Sequence, residues 1–275
     1  MHLRDRTQPV LGYDALSRLS VGALCSAEAL RSEDIAVVAD HLYSYYRIPI
    51  TSGWRRRFAD VSGIHGALGV SRDSGLRAIL EVNWLEMPRS TASGWLVWLN
   101  RGGGSELGGS GPEFKLYVSP AVDALERVFP ELVRVVTTCR AVSFKVGADA
   151  PGLLRPDKLV AYFSNLGDLA KAAHELGERL EGVERQGVPF TAEISGDGLL
   201  SWGVDPPLRG RALGGRAPSW REWICYRLAV ALIEARQKRD GPGPLWQQAL
   251  ERLRADGVQV DRWLPSPGHW GTAPW

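Results

Sequence analysis

Residues 143–163 read SFKVGADAPGLLRPDKLVAYF. Two strand-like runs, rich in β-branched and aromatic residues, flank a turn marked by glycine and proline. Side chains alternate across a strand. In the first run Val142, Phe144 and Val146 therefore oppose Ser143, Lys145 and Gly147; in the second, Leu159, Ala161 and Phe163 oppose Val160, Tyr162 and Ser164. FKLYVSP, at 114–120, repeats the design, with Phe114, Leu116 and Val118 against Lys115, Tyr117 and Ser119. Three runs share one apolar face and a second face carrying lysine or tyrosine. As neighbours in one sheet they would bring Lys115, Tyr117, Lys145 and Tyr162 together, with Arg155 and Asp157 of the LLRPDK turn overhanging them. Alternation alone also fits a sheet with one solvated face, where lysine and tyrosine are common.

Around this core the chain reads as α+β, with helices packed on a largely antiparallel sheet. Residues 14–47 are helical in pattern. In SEDIAVVADHLYSYYR, Ser32 is the expected cap, and Ile35, Val38, Ala39, Leu42, Tyr45 and Tyr46 fall close to one face. WRRRFADVSGIHGALGVSRDSG reads as loop with short helical pieces, and GLRAILEVNWLEM and SGWLVWLNR as strands. The glycine-rich GGGSELGGSGP lacks the GK[ST] of a nucleotide loop and reads as a mobile connection or lid. SPAVDALERVFPELVR and SNLGDLAKAAHELGERLEG are helical; VVTTCRAVSFKVG, GVPFTAEI and GLLSWGV are strand-like. SWREWICYRLAVALIEARQKR is a long helix opened by a Ser219/Glu222 capping box. PLWQQALERLRADG is the last helix, and the tail WLPSPGHWGTAPW is irregular. Two regions are expected: residues 1–105, a mostly helical docking region with short strands, and residues 106–275, an α+β domain.

The 275 residues are 44% hydrophobic and 23% charged, enough apolar material for a real core. A net charge of +2 gives no nucleic-acid signal, so any cationic site must be local. Cys25, Cys139 and Cys225 are too scattered for a disulfide framework or a zinc site. His2, His41, His65, His174 and His269 show no ligand spacing, so neither metal nor cofactor is expected. His174 is placed at a helix surface, and His65 is held in reserve as an acid. With no signal-peptide core and no run of about 20 apolar residues, a soluble cytoplasmic protein, away from membranes, is expected.

Of 33 lysines and arginines only Lys115, Lys145, Lys158, Lys171 and Lys238 are lysine. Arginine keeps its proton at physiological pH, whereas a desolvated lysine can lose it. Lys145, in an apolar strand beside the small Ser143 and Gly147, is thus a candidate base. Downstream, PPLRGRALGGRAPSWREW supplies Arg209, Arg211, Arg216 and Arg221. Arg221 falls in the first turn of its helix, where an anion is favoured, so a cation there needs an explanation; a phosphate bound at that helix end would give one. With a phosphomonoester gripped by arginines and Lys115, Lys145 crowded by cations would become a base. It could then remove the α-proton of a phosphoserine or phosphothreonine, expelling phosphate and leaving a dehydroamino acid. Tyr117 or Tyr162 could donate to the developing charges.

FKLYVSP, FKVGADAPGLLRPDKLVAYF, GVPFTAEI, DPP and SWR, as an ordered set, resemble the HopA-type effector-like proteins of class V lanthipeptide and thioamitide clusters. Those proteins are distantly similar to the phosphothreonine lyase effectors of bacteria. The resemblance covers roughly residues 110–225. It implies a phosphothreonine-lyase-like C-terminal part acting on a precursor peptide phosphorylated by a kinase-like partner, with which it would form a complex. It also implies that Lys145 abstracts the α-proton, that Lys115 and Arg155 hold phosphate, and that Tyr162 supports the base. Either Arg216 or Arg221 would supply a further phosphate contact. One departure stands out: Tyr117 occupies the position at which the lyases have their acid histidine, so tyrosine takes that role, another residue does, or the role is dispensed with. A non-catalytic partner that binds the precursor and presents it to the kinase is the alternative.

Overall fold

The computed structural model describes residues 15–71, 73–88, 94–102, 113–206, 218–238 and 243–268. Helices α1 (Ala15–Ala29) and α2 (Ile35–Ser44) come first. Asp34 caps α2 in place of Ser32: its carboxylate accepts from the Ala36 and Val37 N–H groups, and Ser32 Oγ accepts from the Asp34 N–H. Tyr46 lies beyond the helix, exposed and with φ of 66°, so it does not extend the apolar face. The expected short helical pieces are α3 (Ser52–Arg57) and α4 (Val61–Ala67).

GLRAILEVNWLEM is mostly helix, α5 (Ser74–Asn83), followed by a three-residue strand, β1 (Trp84–Glu86). The Asp73 carboxylate accepts from Leu76 N–H at 3.0 Å and starts the helix. Leu76 and Leu80, one turn apart, face the core. Next come β2 (Trp95–Asn100), β3 (Phe114–Val118), α6 (Leu125–Thr138), β4 (Ser143–Gly147), α7 (Ala150–Leu153), β5 (Leu159–Phe163) and α8 (Leu166–Arg179). The VVTT stretch read as strand completes α6. Only Ala192–Glu193 of GVPFTAEI pairs, as β6, beside β7 (Leu200–Val204). The last elements are α9 (Trp220–Lys238), α10 (Leu245–Ala255) and a small hairpin of β8 (Val258–Gln259) and β9 (Leu264–Pro265), which orders the start of the tail.

Seven strands form one sheet in the order β1-β2-β4-β5-β3-β7-β6, every pairing antiparallel. Because β2 pairs with β4 from Trp95↔Gly147 to Leu99↔Ser143, the sheet crosses the division expected at residue 105. On one face Phe114, Leu116, Val118, Phe144, Val146, Leu159, Ala161 and Phe163 pack with Val128, Phe129, Leu132 and Val133 of α6 and Leu169, Ala172 and Leu176 of α8. Phe144 is fully buried between Trp84 (4.7 Å between centroids, edge-on) and Trp98 (5.0 Å, stacked). A second core joins α1, α2, α9 and α10 through Leu24, Val38, Leu42, Ile224, Leu228, Leu232, Ala249 and Leu253.

The other face of the sheet is covered as well. All five residues of β3 are buried, and Tyr117 and Val160 pack with Val188. The lysine-and-tyrosine face is therefore an interior, and the solvated-face reading does not hold for β3 and β5.

Gly147 sits where β4 meets α7: a Cβ there would lie 2.3 Å from the Gly152 carbonyl carbon and 2.6 Å from Leu153 N. Neither backbone atom can move aside cheaply. Gly147→Ala is expected to cost about 1–3 kcal/mol of stability by overpacking, read from urea unfolding. Gly66→Ala, whose Cβ would meet nothing within 4 Å, should leave stability equal or higher.

Candidate functional site

The register sets the first residues. Lys115 lies opposite Tyr162, Tyr117 opposite Val160, and Val160 opposite Lys145, so β3, β5 and β4 present these side chains on one patch. The Lys145 Nζ stands 5.4 Å and the Lys115 Nζ 5.1 Å from the Tyr162 ring centroid. The two ammonium groups, 30 residues apart in the chain, thus flank one aromatic ring.

Their surroundings differ. Lys115 is buried and ion-paired with Asp205, just after β7. Asp205 also accepts from the Trp220 N–H at 2.8 Å, so its charge satisfies the start of α9. Lys145 has no ion-pair partner among the described residues; its Nζ lies 4.3 Å over the Trp95 ring of β2. Burial, more than the neighbouring Lys115 charge, lowers its pKa to about 8. Repulsion between cations, expected as the main cause, comes second.

Arg155 and Arg221 meet at one carboxylate. Arg155 donates from Nε to Asp157 Oδ1 and from Nη2 to Asp157 Oδ2, both at 2.9 Å. Arg221, 1% exposed, brings Nη1 within 2.9 Å of Asp157 Oδ2. That approach is poorly aligned, and Nη1 is left buried without a hydrogen bond. The remaining Arg221 donors are directed by backbone carbonyls, Nε to Pro189 O at 3.2 Å and Nη2 to Tyr43 O at 2.9 Å. Phe190, buried yet left-handed at φ 64°, orients this turn, and its own carbonyl accepts from Trp220 Nε1. Burial raises the Asp157 pKa, but the Arg221 and Arg155 guanidiniums outweigh it and hold the carboxyl well below the usual carboxylate range. The cation in the first turn of α9 is thus accounted for by Asp157, and the helix start by Asp205.

Lys115, Tyr117, Lys145, Tyr162 and Arg221 line one pocket with Tyr43, Asp157, Val160 and Ser219. Arg155 stands behind it, bonded to Asp157. Arg216, with Arg209, Arg211 and the glycine-rich tract from 103 to 112, lies outside the described residues. The pocket is tight, about 20 Å³, near the room needed by one water, so a phosphoryl group has to open it. Burial pushes the Tyr117 and Tyr162 hydroxyls far above their ordinary pKa. Both are neutral donors and weak acids. His65, held in reserve as an acid, sits in α4, which packs on α6 beside the opposite face of the sheet. His174 is half exposed on α8. The Ser219/Glu222 capping box forms as expected, with Glu222 Oε2 accepting from Ser219 N–H at 2.8 Å and Ser219 Oγ from Glu222 N–H at 3.3 Å.

Tyr43, Trp95 and Asp205 were not singled out from the sequence. Trp95 carried a partial signal, since alternation in WLVWLN puts it opposite Leu96 and Trp98; its meeting with Lys145 depends on the β2–β4 pairing. A larger open cleft, about 910 Å³, lies between α1, α9 and α10. Its Glu28 carboxylate accepts from the Leu245 and Trp246 N–H groups, and Arg236 donates to Ala27, Glu28 and Ser32 carbonyls. These charged groups serve helix ends. Among the described residues no helix is long and apolar enough to cross a membrane, and no group of three or more His, Cys, Asp or Glu is placed to hold a metal ion.

Replacing Asp157 by Asn would leave two guanidiniums without their buried anion, at a cost of about 3–5 kcal/mol at pH 7. Because the folded pKa is depressed, Asp157 stabilises above its unfolded pKa of about 3.9 and that contribution fades as pH falls below it. Unfolding curves should therefore show the gap between wild type and Asp157→Asn narrowing as pH falls below about 4 and closing only at the depressed pKa of the folded state.

Comparison with solved structures places the fold. The effector protein from Pseudomonas syringae pv. syringae strain 61 matches over 90% of this chain and 98% of its own, with a TM-score of 0.50 at 13% identity. The effector protein from Pseudomonas syringae pv. tomato strain DC3000 matches over 92% and 98%, with a TM-score of 0.49 at 15% identity. A structure described as the structural basis for the catalytic mechanism of phosphothreonine lyase is more remote, with a TM-score of 0.37 at 13% identity over 66% of this chain and 88% of its own. No family model and no curated protein matches the sequence. At these identities the likeness to the first effector is one of fold: an antiparallel sheet with helices, shared along nearly the whole chain.

Proposed function

We propose that this pocket eliminates phosphate from phosphoserine or phosphothreonine in a ribosomally made precursor peptide, phosphorylated by a separate kinase-like protein, in lanthipeptide or thioamitide biosynthesis. The observation that carries the reading is Lys145: a mostly buried ammonium without a carboxylate partner among the described residues, its pKa lowered to about 8, in a pocket shared with Lys115 and the unsatisfied Nη1 of Arg221. A neutral lysine beside cationic donors is what α-proton removal next to a phosphoester requires.

In this reaction Lys145 Nζ takes the α-proton. The C–H electron pair becomes the Cα=Cβ bond, and the Cβ–O bond breaks with its electrons on the departing phosphate. Arg221 and Lys115 would stabilise that charge, with Arg155 acting through Asp157. Tyr117, whose hydroxyl stays protonated, can donate a hydrogen bond to the leaving oxygen. Its weak acidity favours departure of phosphate as a cation-paired anion over full proton transfer from Tyr117.

One observation favours the non-catalytic alternative, in which the chain binds the precursor for the kinase: Asp157 already engages both arginines, as a phosphate would. Incubating the pure protein with synthetic phosphoserine and phosphothreonine peptides, with and without the kinase partner, separates the two. Elimination appears as loss of phosphoric acid by mass. Bound but unchanged peptide supports the binding role, and a free hydroxyl would indicate hydrolysis instead.

Under the lyase reading Lys145→Ala and Lys145→Arg should each lower kcat by at least about 10³-fold while leaving phosphopeptide affinity within a few fold, since arginine cannot yield its proton. The base acts only when neutral. The rate should therefore rise with pH through about 8, the pKa set for Lys145, and level off above it; a pH–rate profile checks this.

A further inference from the structure

Resting on the phosphomonoester reading, we infer that Tyr43, from the N-terminal helical region, is the residue that positions both Arg221, which lines the pocket, and Arg155, which stands behind it. Its hydroxyl accepts from Arg155 Nη2 at 2.8 Å and donates to Asp157 Oδ2 at 3.2 Å. Its backbone carbonyl accepts from Arg221 Nη2 at 2.9 Å. The Arg221 guanidinium lies 4.5 Å and that of Arg155 5.4 Å from its ring centroid. One side chain and its own carbonyl thus touch both guanidiniums and the carboxylate between them. Burial, reinforced by the Asp157 charge, raises the Tyr43 pKa, so the hydroxyl remains a donor throughout the physiological range.

The placement of Tyr43 is itself fixed by packing. Val38 and Leu42 of α2 are fully buried in the same core as Ile224 and Leu228 of α9. The helix that presents Tyr43 is therefore docked on the helix that carries Arg221, while Arg155 and Asp157 arrive on the turn before β5. The phosphate grip is consequently assembled only when α2 is seated, which makes the N-terminal region part of the site in addition to any docking role.

Tyr43→Phe keeps the ring and the backbone carbonyl and deletes the hydroxyl. The KM for a phosphoserine peptide should rise about tenfold with kcat within about twofold, because a hydrogen bond to a charged group that grips the ground state and the transition state alike is lost. Free of any ligand, ¹⁵N spectra of the arginine side chains should show restrained Nε and Nη signals for Arg155 in the wild type, averaged in Tyr43→Phe. A purely structural tyrosine would lower the unfolding midpoint and leave KM and the Arg155 signals unmoved; that result overturns the inference. Should the wild type neither bind nor convert the phosphopeptide, the lyase reading fails, while the arginine spectra still decide whether Tyr43 positions the guanidiniums.

Discussion

The tertiary arrangement turns on a buried carboxylate. Asp157 is 4% exposed and meets Arg155 from its own turn, Arg221 from α9 and Tyr43 from α2. A charge taken out of water is costly unless it is paired and hydrogen-bonded. Of the ways to place α2 and α9 on this sheet, those that leave Asp157 or the guanidiniums alone are heavily penalised. The ion cluster contributes little net stability compared with an apolar core, but it discriminates strongly between arrangements. Apolar contacts such as Leu42 against α9 supply the drive; Asp157 supplies the register.

The same pocket treats its two lysines differently. Lys115 has a carboxylate, Asp205, which is held in turn by the first N–H of α9. Lys145 has two aromatic rings, those of Trp95 and Tyr162. A ring face attracts a cation weakly compared with a buried carboxylate and offers it no acceptor lone pair. The environment thus separates the protonation behaviour of two identical side chains, which is how one site can hold an electrostatic anchor beside a proton acceptor. Arg221 adds a fixed charge whose Nη1 lacks an aligned acceptor, leaving one donor in the pocket for a ligand oxygen.

The effector from Pseudomonas syringae pv. syringae strain 61 shares the fold at 13% identity. Such a distance is compatible with a conserved architecture because burial requires apolar character and volume at each position more than particular residues. In this chain the requirement is visible in β3, β4 and β5, where alternation survives although both faces are covered. One face is aliphatic and aromatic; the other carries Lys115, Tyr117, Lys145 and Tyr162. That difference between two buried faces made the convergence of these four residues readable. Alternation could not tell a buried polar face from a wet one, because both show the same period.

Neighbouring residues alone settled the strands at 114–118, 143–147 and 159–163, the α9 capping box and the two helices within 14–47, since period and caps are properties of adjacent positions. They misjudged 74–83, where Leu76, Ile79 and Leu80 run straight into Trp84 and Leu85 and the helical and extended patterns overlap. Long-range packing decided the rest: that β2 joins the sheet and sets Trp95 over Lys145, that Asp205 takes Lys115, and that α2 brings Tyr43 to the arginines. Each is a contact between segments tens of residues apart. Its free energy comes from burying both partners together, and neither segment carries that information by itself.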